Sequence, residues 1–231
     1  MIPLPSKFKI IEEEKNFKKF EIDGLYPGYG TTVGNALRRV LLSSLEGLAI
    51  TRVKIKGVQH EFSTIEGVAE DVVNLILNLK YIRFKSTTDE AQTATLKAKG
   101  EKEVKAGDFK LPSQLEIVNP DLHIATLTSR TAELEMEITV EKGVGYEPVE
   151  RRKKDKIEIG EIYIDAIFTP VRKVSLNIDN VRVGERTDFD RIILGVETDG
   201  TIKPEEALKD SVDILIKYFS FLLEEPTKEK K

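Results

Sequence analysis

Two helical segments, one near each end of the chain, carry more apolar circumference than one sheet can cover. Over 32–46, the residues Ala36, Val40, Val33, Leu37, Leu41, Leu45 and Leu42 sweep about 240° at about 100° per residue, with Arg38 alone interrupting them. Near the other end, an arc of about 220° includes Ile214, Leu215, Tyr218, Phe219, Phe221 and Leu222. A helix lying on one sheet needs a stripe only a little over about 100° wide. Each helix therefore requires a second layer, and a twofold homodimer supplies one for both. The alternative is that the two helices cover only each other within one subunit. The candidate dimer interface is Val33, Leu37, Leu41, Leu45, Leu215, Tyr218, Phe219 and Leu222. Arg38 lies inside the arc, where its stem packs. Arg39 lies on the polar side with Ser43, where a planar five-donor cation suits carboxylates or carbonyls of another protein.

Composition narrows the class. The chain has 231 residues, 40% hydrophobic and 33% charged, enough for a packed core and unlike a disordered chain. Its 36 Lys and Arg against 40 Asp and Glu leave a net charge of −4. That balance argues against sequence-independent duplex binding, which needs a positive face. Cysteine is absent and the histidines are His60 and His123, which excludes disulfides, cysteine-ligated metal centres, multi-histidine sites and cysteine nucleophiles. The opening residues lack a basic region followed by an apolar run, and no apolar stretch reaches about 18 residues. The expected compartment is the cytoplasm, with no membrane partner.

Local patterns outline the order of elements. A strand is expected over 17–22 and a turn at Pro27-Gly28-Tyr29-Gly30. A helix follows over 32–46, capped by Thr31 or Thr32 and stopped at Gly47. Alternation over 50–55 predicts a strand. Ser63-Thr64-Ile65-Glu66 fits a capping box and predicts a helix from there to residue 80, with Val68, Val72, Leu75, Ile76 and Leu79 on one face. From 81 to 168 the pattern is short strands and turns, clearest over 133–140, where apolar and polar residues alternate. Strands are expected over 161–168, 174–178 and 192–197. Pro204 and the acids after it open a last helix running to residue 223, and 226–231 is a polar tail.

Three features suggest chemistry, each with a plainer explanation. Gly28-Tyr29-Gly30-Thr31-Thr32-Val33-Gly34 resembles a dinucleotide fingerprint with the third glycine one residue late; it also suits a tight strand-to-helix corner. Asp188 and Asp190 at alternate positions would share one face of a strand, as a two-metal site requires, but Arg186 and Arg191 flank them and favour salt bridging. The basic run 151–156 offers phosphate contacts, although it lacks interleaved aromatic residues and Asp155 breaks it. His60-Glu61 has no accompanying nucleophile. A nucleotide- or nucleic-acid-binding protein using the Gly28–Gly34 corner or the 151–156 loop is the alternative function.

The segment Thr32-Val33-Gly34-Asn35-Ala36-Leu37-Arg38-Arg39-Val40-Leu41-Leu42-Ser43-Ser44 closely resembles the signature helix of the bacterial RNA polymerase alpha-subunit family. His60-Glu61-Phe62-Ser63-Thr64-Ile65-Glu66-Gly67-Val68, Glu70-Asp71, Leu77-Asn78-Leu79-Lys80, Arg186-Thr187-Asp188-Phe189-Asp190 and the stretch from Thr198 to Ala207 match in order. The resemblance covers nearly the whole chain. It implies an α+β subunit with a helix-on-sheet dimerisation domain from both ends (1–46 and 173–231) and an inserted β-rich domain (47–172).

The resemblance further implies a non-catalytic homodimer that scaffolds assembly of the beta and beta-prime subunits of DNA-directed RNA polymerase. Contact with beta would involve Arg39, Leu42, His60, Glu61, Ser63, Thr64 and Gly67. Contact with beta-prime would involve Lys80, Ile164, Arg186, Thr187 and Asp188. No cofactor is expected in this chain; the catalytic magnesium is expected in beta-prime. Pro27 stands where the family often has a basic residue, and the 151–156 loop departs from the family pattern. The chain stops at Lys231, where the family usually continues into a DNA-binding module, so no direct promoter contact is expected from it.

Overall fold

The computed structural model describes residues 2–5, 7–152 and 160–223. In chain order the elements are β1 (Lys7–Glu14), β2 (Phe17–Leu25), α1 (Tyr29–Ser43), β3 (Glu46–Ile55), α2 (Val72–Leu79), β4 (Phe84–Ser86), β5 (Gln92–Lys99), β6 (Lys102–Lys105), β7 (Leu115–Ile117), β8 (His123–Leu127), β9 (Glu133–Val144), β10 (Tyr146–Glu147), β11 (Glu161–Tyr163), β12 (Ala166–Ile167), β13 (Val171–Val183), β14 (Arg186–Thr198) and α3 (Pro204–Phe221). The fold is α+β, and the paired strands run antiparallel. Two compact units divide it, one of residues 1–45 and 170–231, the other of 46–169.

The first unit is a four-stranded sheet, β1-β2-β14-β13, with α1 and α3 on one face. Its core joins Phe20, Ile192, Leu194 and Val196 of the sheet to Leu37, Leu41 and Leu45 at α1 and to Ala207 and Leu208 of α3. Glycines let α1 approach the sheet. A Cβ on Gly34 would stand 2.8 Å from Leu176 Cδ1, and one on Gly30 would stand 2.8 Å from Asp190 Cβ. Helix α1 begins three residues before the position expected from sequence, because its cap is not Thr31 or Thr32. Gly28, at φ 88°, takes the N-cap position without a side-chain bond of its own, and the missing acceptor comes from β14. α3 opens on Pro204 as expected, and Glu206 reaches back to the Lys203 N–H at 3.3 Å. Lys18 of β2 ties β1 to α3 through ion pairs with Glu13 and Glu205.

The second unit is built on the sheet β11-β3-β9-β5, with the strand pairs β4–β7, β6–β8 and β10–β12 beside it. Leu134, Met136, Ile138 and Val140 alternate into its core, as the pattern over 133–140 requires. Helix α2 adds Val72, Leu75, Ile76 and Leu79.

The expected helix start at Ser63 is corrected. The helix opens at Val72, where the Asp71 carboxylate accepts the Asn74 N–H at 2.7 Å. Gly67 sits at φ 76°, and a Cβ there would meet Ala132 Cβ at 2.7 Å. A positive φ at that point breaks any helix running from Ser63, and the chain instead forms an isolated bridge, Val68 with Leu127.

Candidate functional site

The first unit presents α1 and α3 in two ways. On the inner side, Leu37, Leu41 and Leu45 are buried against the sheet of the same chain, Leu41 completely. Leu37 also lines a groove beside α3, and all three belong to this unit's own core. Val33, Leu42 and Leu215 are half-buried at its edge. Past Ser211, which is buried and donates to Ala207 O at 2.8 Å, α3 loses its cover. Tyr218 is 74% exposed, Phe219 61% and Leu222 73%.

Beside the covered half of α3 lies an apolar groove of about 520 Å³, lined by Phe8, Ile10, Phe20, Ile22, Leu37, Leu208 and Val212, with Lys9, Glu205 and Lys209 around it. Phe8 and Ile10 come from β1, which sequence reading missed; Phe8 stacks on Phe20 at 5.9 Å. Arg38 and Arg39 of α1 are both exposed. Neither guanidinium makes an ion pair among the described residues.

At the start of β14, the Arg186 guanidinium forks onto Asp188, Nε to Oδ1 at 3.0 Å and Nη2 to Oδ2 at 2.6 Å. It also lies over the rings of Tyr26 and Phe189, at 5.5 and 5.3 Å. Asp188 and Tyr26 raise the Arg186 pKa, and Arg186 in turn holds the Asp188 carboxyl below the usual range. Asp190 is buried. Its Oδ2 accepts the N–H groups of Gly28 and Gly30, at 2.9 and 2.8 Å. The two carboxylates therefore do not converge on a shared metal position. The glycine corner, for its part, already holds an anion of its own where a phosphate would sit.

In the second unit, His60, Glu61, Phe62 and Thr64 are exposed, with Phe62 at 81%. Ser63 Oγ lies 3.2 Å from His60 Nδ1. Lys80, at the end of α2, reaches Asp165 at 3.3 Å. Asp165 also accepts the Val149 N–H at 3.0 Å. That N–H bond, helped by Lys80 against the opposing effect of burial, holds the Asp165 carboxyl below its usual range.

Ile164 is the one buried residue among the expected contacts with the large subunits. It is 2% exposed and sits in the core, its N–H bonded to Thr51 O at 2.9 Å. Of the basic run 151–156, only Arg151 and Arg152 lie inside the described residues. Arg152 turns inward, over the Phe168 ring at 6.0 Å and onto Thr51 O at 3.3 Å. The polar tail 226–231 also lies outside the described residues. None of the described helices is long and apolar enough to cross a membrane.

Comparison with known proteins decides the family. The model of the RNA polymerase Rpb3/RpoA insert domain matches residues 53–169, inside the second unit. The DNA-directed RNA polymerase subunit alpha of Roseiflexus castenholzii is 50% identical over 212 residues, which is 92% of this chain and 65% of that protein. The protein of the same name from Clostridium kluyveri is 49% identical over 91% of this chain and 67% of its own length. That of Flavobacterium psychrophilum is 46% identical over 96% of this chain and 68% of its own length. The chain belongs to the RNA polymerase alpha-subunit family. It spans about two thirds of the length of these curated relatives. As an alpha-family chain it carries the insert-domain match up to residue 169, where the second unit ends.

Proposed function

We propose that this chain is the assembly core of a DNA-directed RNA polymerase, a homodimer on which the beta and beta-prime subunits gather. The carrying observation is that this unit has both a bare apolar end on α3 and an apolar groove beside the covered half of α3, in a chain whose relatives above are named subunit alpha. Each large apolar side chain taken out of water is worth roughly 1.5–3 kcal/mol. Leaving Tyr218, Phe219 and Leu222 wet therefore forgoes several times that amount. The occupant proposed for the groove is the α3 end of a second copy. The first unit is then the dimerisation domain and the second the inserted domain.

Arg39 and Leu42, and the loop from His60 to Gly67, are the proposed contacts with beta. Lys80 and the Arg186-Thr187-Asp188 turn are the proposed contacts with beta-prime. Exposed Arg39, without an ion pair among the described residues, favours this reading, since its donors suit a partner's carboxylates or carbonyls. In this proposal the nucleotidyl transfer belongs to the partners. The chain's own paired acids are engaged elsewhere, Asp188 on Arg186 and Asp190 on the glycine corner.

Light scattering on the purified chain, followed by capture of beta, tests the proposal. A dimer is expected at micromolar concentration. Arg39→Ala is expected to keep the dimer and lose most beta capture. A stable monomer, or beta capture indifferent to Arg39, would overturn the corresponding part.

A further inference from the structure

The loop from His60 to Gly67 is fastened to the rest of its unit just downstream, at residues 67–70. Gly67 O accepts the Thr128 N–H at 2.8 Å, and the Ala69 N–H reaches Thr126 O at 2.9 Å. Glu70 adds a side-chain clasp. Its Oε2 accepts the Thr126 N–H at 2.7 Å, and its Oε1 accepts the Thr126 hydroxyl at 3.2 Å. The same Oε1 stands 2.9 Å from His123 Nε2. The other ring nitrogen, Nδ1, stands 3.1 Å from Glu103 Oε1 on β6. Ionised carboxylates only accept hydrogen bonds. A ring with a carboxylate oxygen at each nitrogen therefore satisfies both contacts only when both nitrogens carry protons.

We propose that His123 is a positioning residue whose protonated ring latches residues 67–70, and with them the exposed loop 60–66, onto the β6–β8 pair. The charged groups around it favour this role. Glu70 stands on the segment being held and Glu103 on β6. Asp71 is committed to the Asn74 N–H. Lys105 is the cross-strand partner of His123. Helix α2, which packs against β8, has no titratable side chain.

The hydrogen bond to Glu70, with Glu103 adding to it against burial, holds the ring above the usual histidine range. Burial pushes Glu70 up, but the Thr126 N–H and His123 together bring it below the usual carboxylate range. A histidine whose folded value is raised contributes its stabilisation in full below the unfolded value and loses it as pH rises through the folded one. Once neutral, the ring keeps one N–H for two carboxylates, and partly buried Glu70 loses its counter-charge. The latch is thus closed at lower pH and loosens as pH rises.

The experiment is NMR on the whole chain, following imidazole nitrogens and backbone amide exchange across pH. His123 is expected to hold both protons at a pH where an unperturbed histidine, near about 6.5, has lost one. Exchange of the Ala69 and Thr128 amides, relative to Leu75 of α2, is expected to rise about threefold to tenfold across the His123 midpoint, as local opening predicts. His123→Gln is expected to abolish that step. Glu103→Gln, on an exposed side chain, is expected to lower the His123 midpoint and carry the step with it, which keeps the test decisive if His123→Gln fails to fold. A His123 midpoint no higher than the ordinary histidine value of about 6.5, or amide exchange without a step at that midpoint, would overturn the proposal. Any effect on beta capture rests on the docking role proposed above for the loop. If the exchange step appears and capture ignores it, that docking role fails and the latch stands.

Discussion

Asp190 and Gly30 are 160 residues apart in sequence, yet the Asp190 carboxylate closes the start of α1 by accepting the Gly30 N–H at 2.8 Å, and the Gly28 N–H with the same oxygen. A helix start leaves N–H groups without partners, and Gly28 has no side chain to supply one. The carboxylate also sits at the positive end of the helix dipole. Asp190→Ala is expected to cost about 1–3 kcal/mol, since it strands the buried Gly30 N–H and the half-buried Gly28 N–H. Asp190→Asn, which keeps an oxygen acceptor, is expected to cost less. Urea unfolding of the two variants checks the order.

The glycines of α1 are not equivalent. A Cβ at Gly30 meets the Asp190 Cβ, which is anchored to the backbone of β14. A Cβ at Gly34 meets the terminal methyls of Leu176, which can rotate away. Gly30→Ala is expected to destabilise by about 1–3 kcal/mol, and Gly34→Ala by distinctly less. Equal losses in urea midpoint would refute this account of the corner.

Folding and self-association are expected to respond to different residues on the two end helices. Leu41 is wholly inside the first unit, so Leu41→Ala is expected to lose about 2–5 kcal/mol of stability. Phe219 touches solvent, so Phe219→Asp is expected to fold normally and to stay monomeric in light scattering. A Phe219→Asp variant that dimerises like the parent would argue against the proposed use of α3.

Asp165 predicts an acid limb to the stability of the second unit. Its carboxyl is held low by the Val149 N–H, with Lys80 adding to the effect. A carboxyl whose folded value is depressed contributes stability above its unfolded value and loses it as pH falls through the folded one. Asp165→Asn is therefore expected to melt below the parent at neutral pH, with the two curves converging as pH falls through the folded Asp165 value. Thermal melts across that range test it, and parallel curves at all pH values would contradict it.

Much of the architecture is written in local patterns. The alternation over 133–140, the Pro204 start of α3 and the wide apolar arcs all correspond to observed elements, because each reflects burial within a few residues. What local pattern misses is set by distant groups. The strand β1 alternates only from Lys7 to Ile10, too short a run to stand out, and Lys7 to Glu14 are exposed along their whole length. Ser63-Thr64-Ile65-Glu66 satisfies a capping pattern, but Gly67 packs on Ala132 and Asp71 takes over the cap. The arcs say how much cover is needed and not which part the chain provides for itself. Leu37, Leu41 and Leu45 turn inward while Tyr218, Phe219 and Leu222 do not. Ile164 is likewise buried in the core of the second unit. The role of Asp190 had no local signal: two acids flanked by arginines look like an ion-pair cluster until β14 is laid beside β2.

The pairing of β2 with β14, residues 17–25 against 186–198, sets a timetable for synthesis. While the ribosome has released only the leading part of the chain, β2 lacks its neighbour and α1 lacks the carboxylate that starts it. The contiguous second unit, residues 46–169, emerges complete before that neighbour exists, and domains generally fold as units in order of emergence. The leading α1 segment, with Leu37, Leu41 and Leu45 still unburied, must wait through that interval. During translation, this stretch is where chaperone protection matters most.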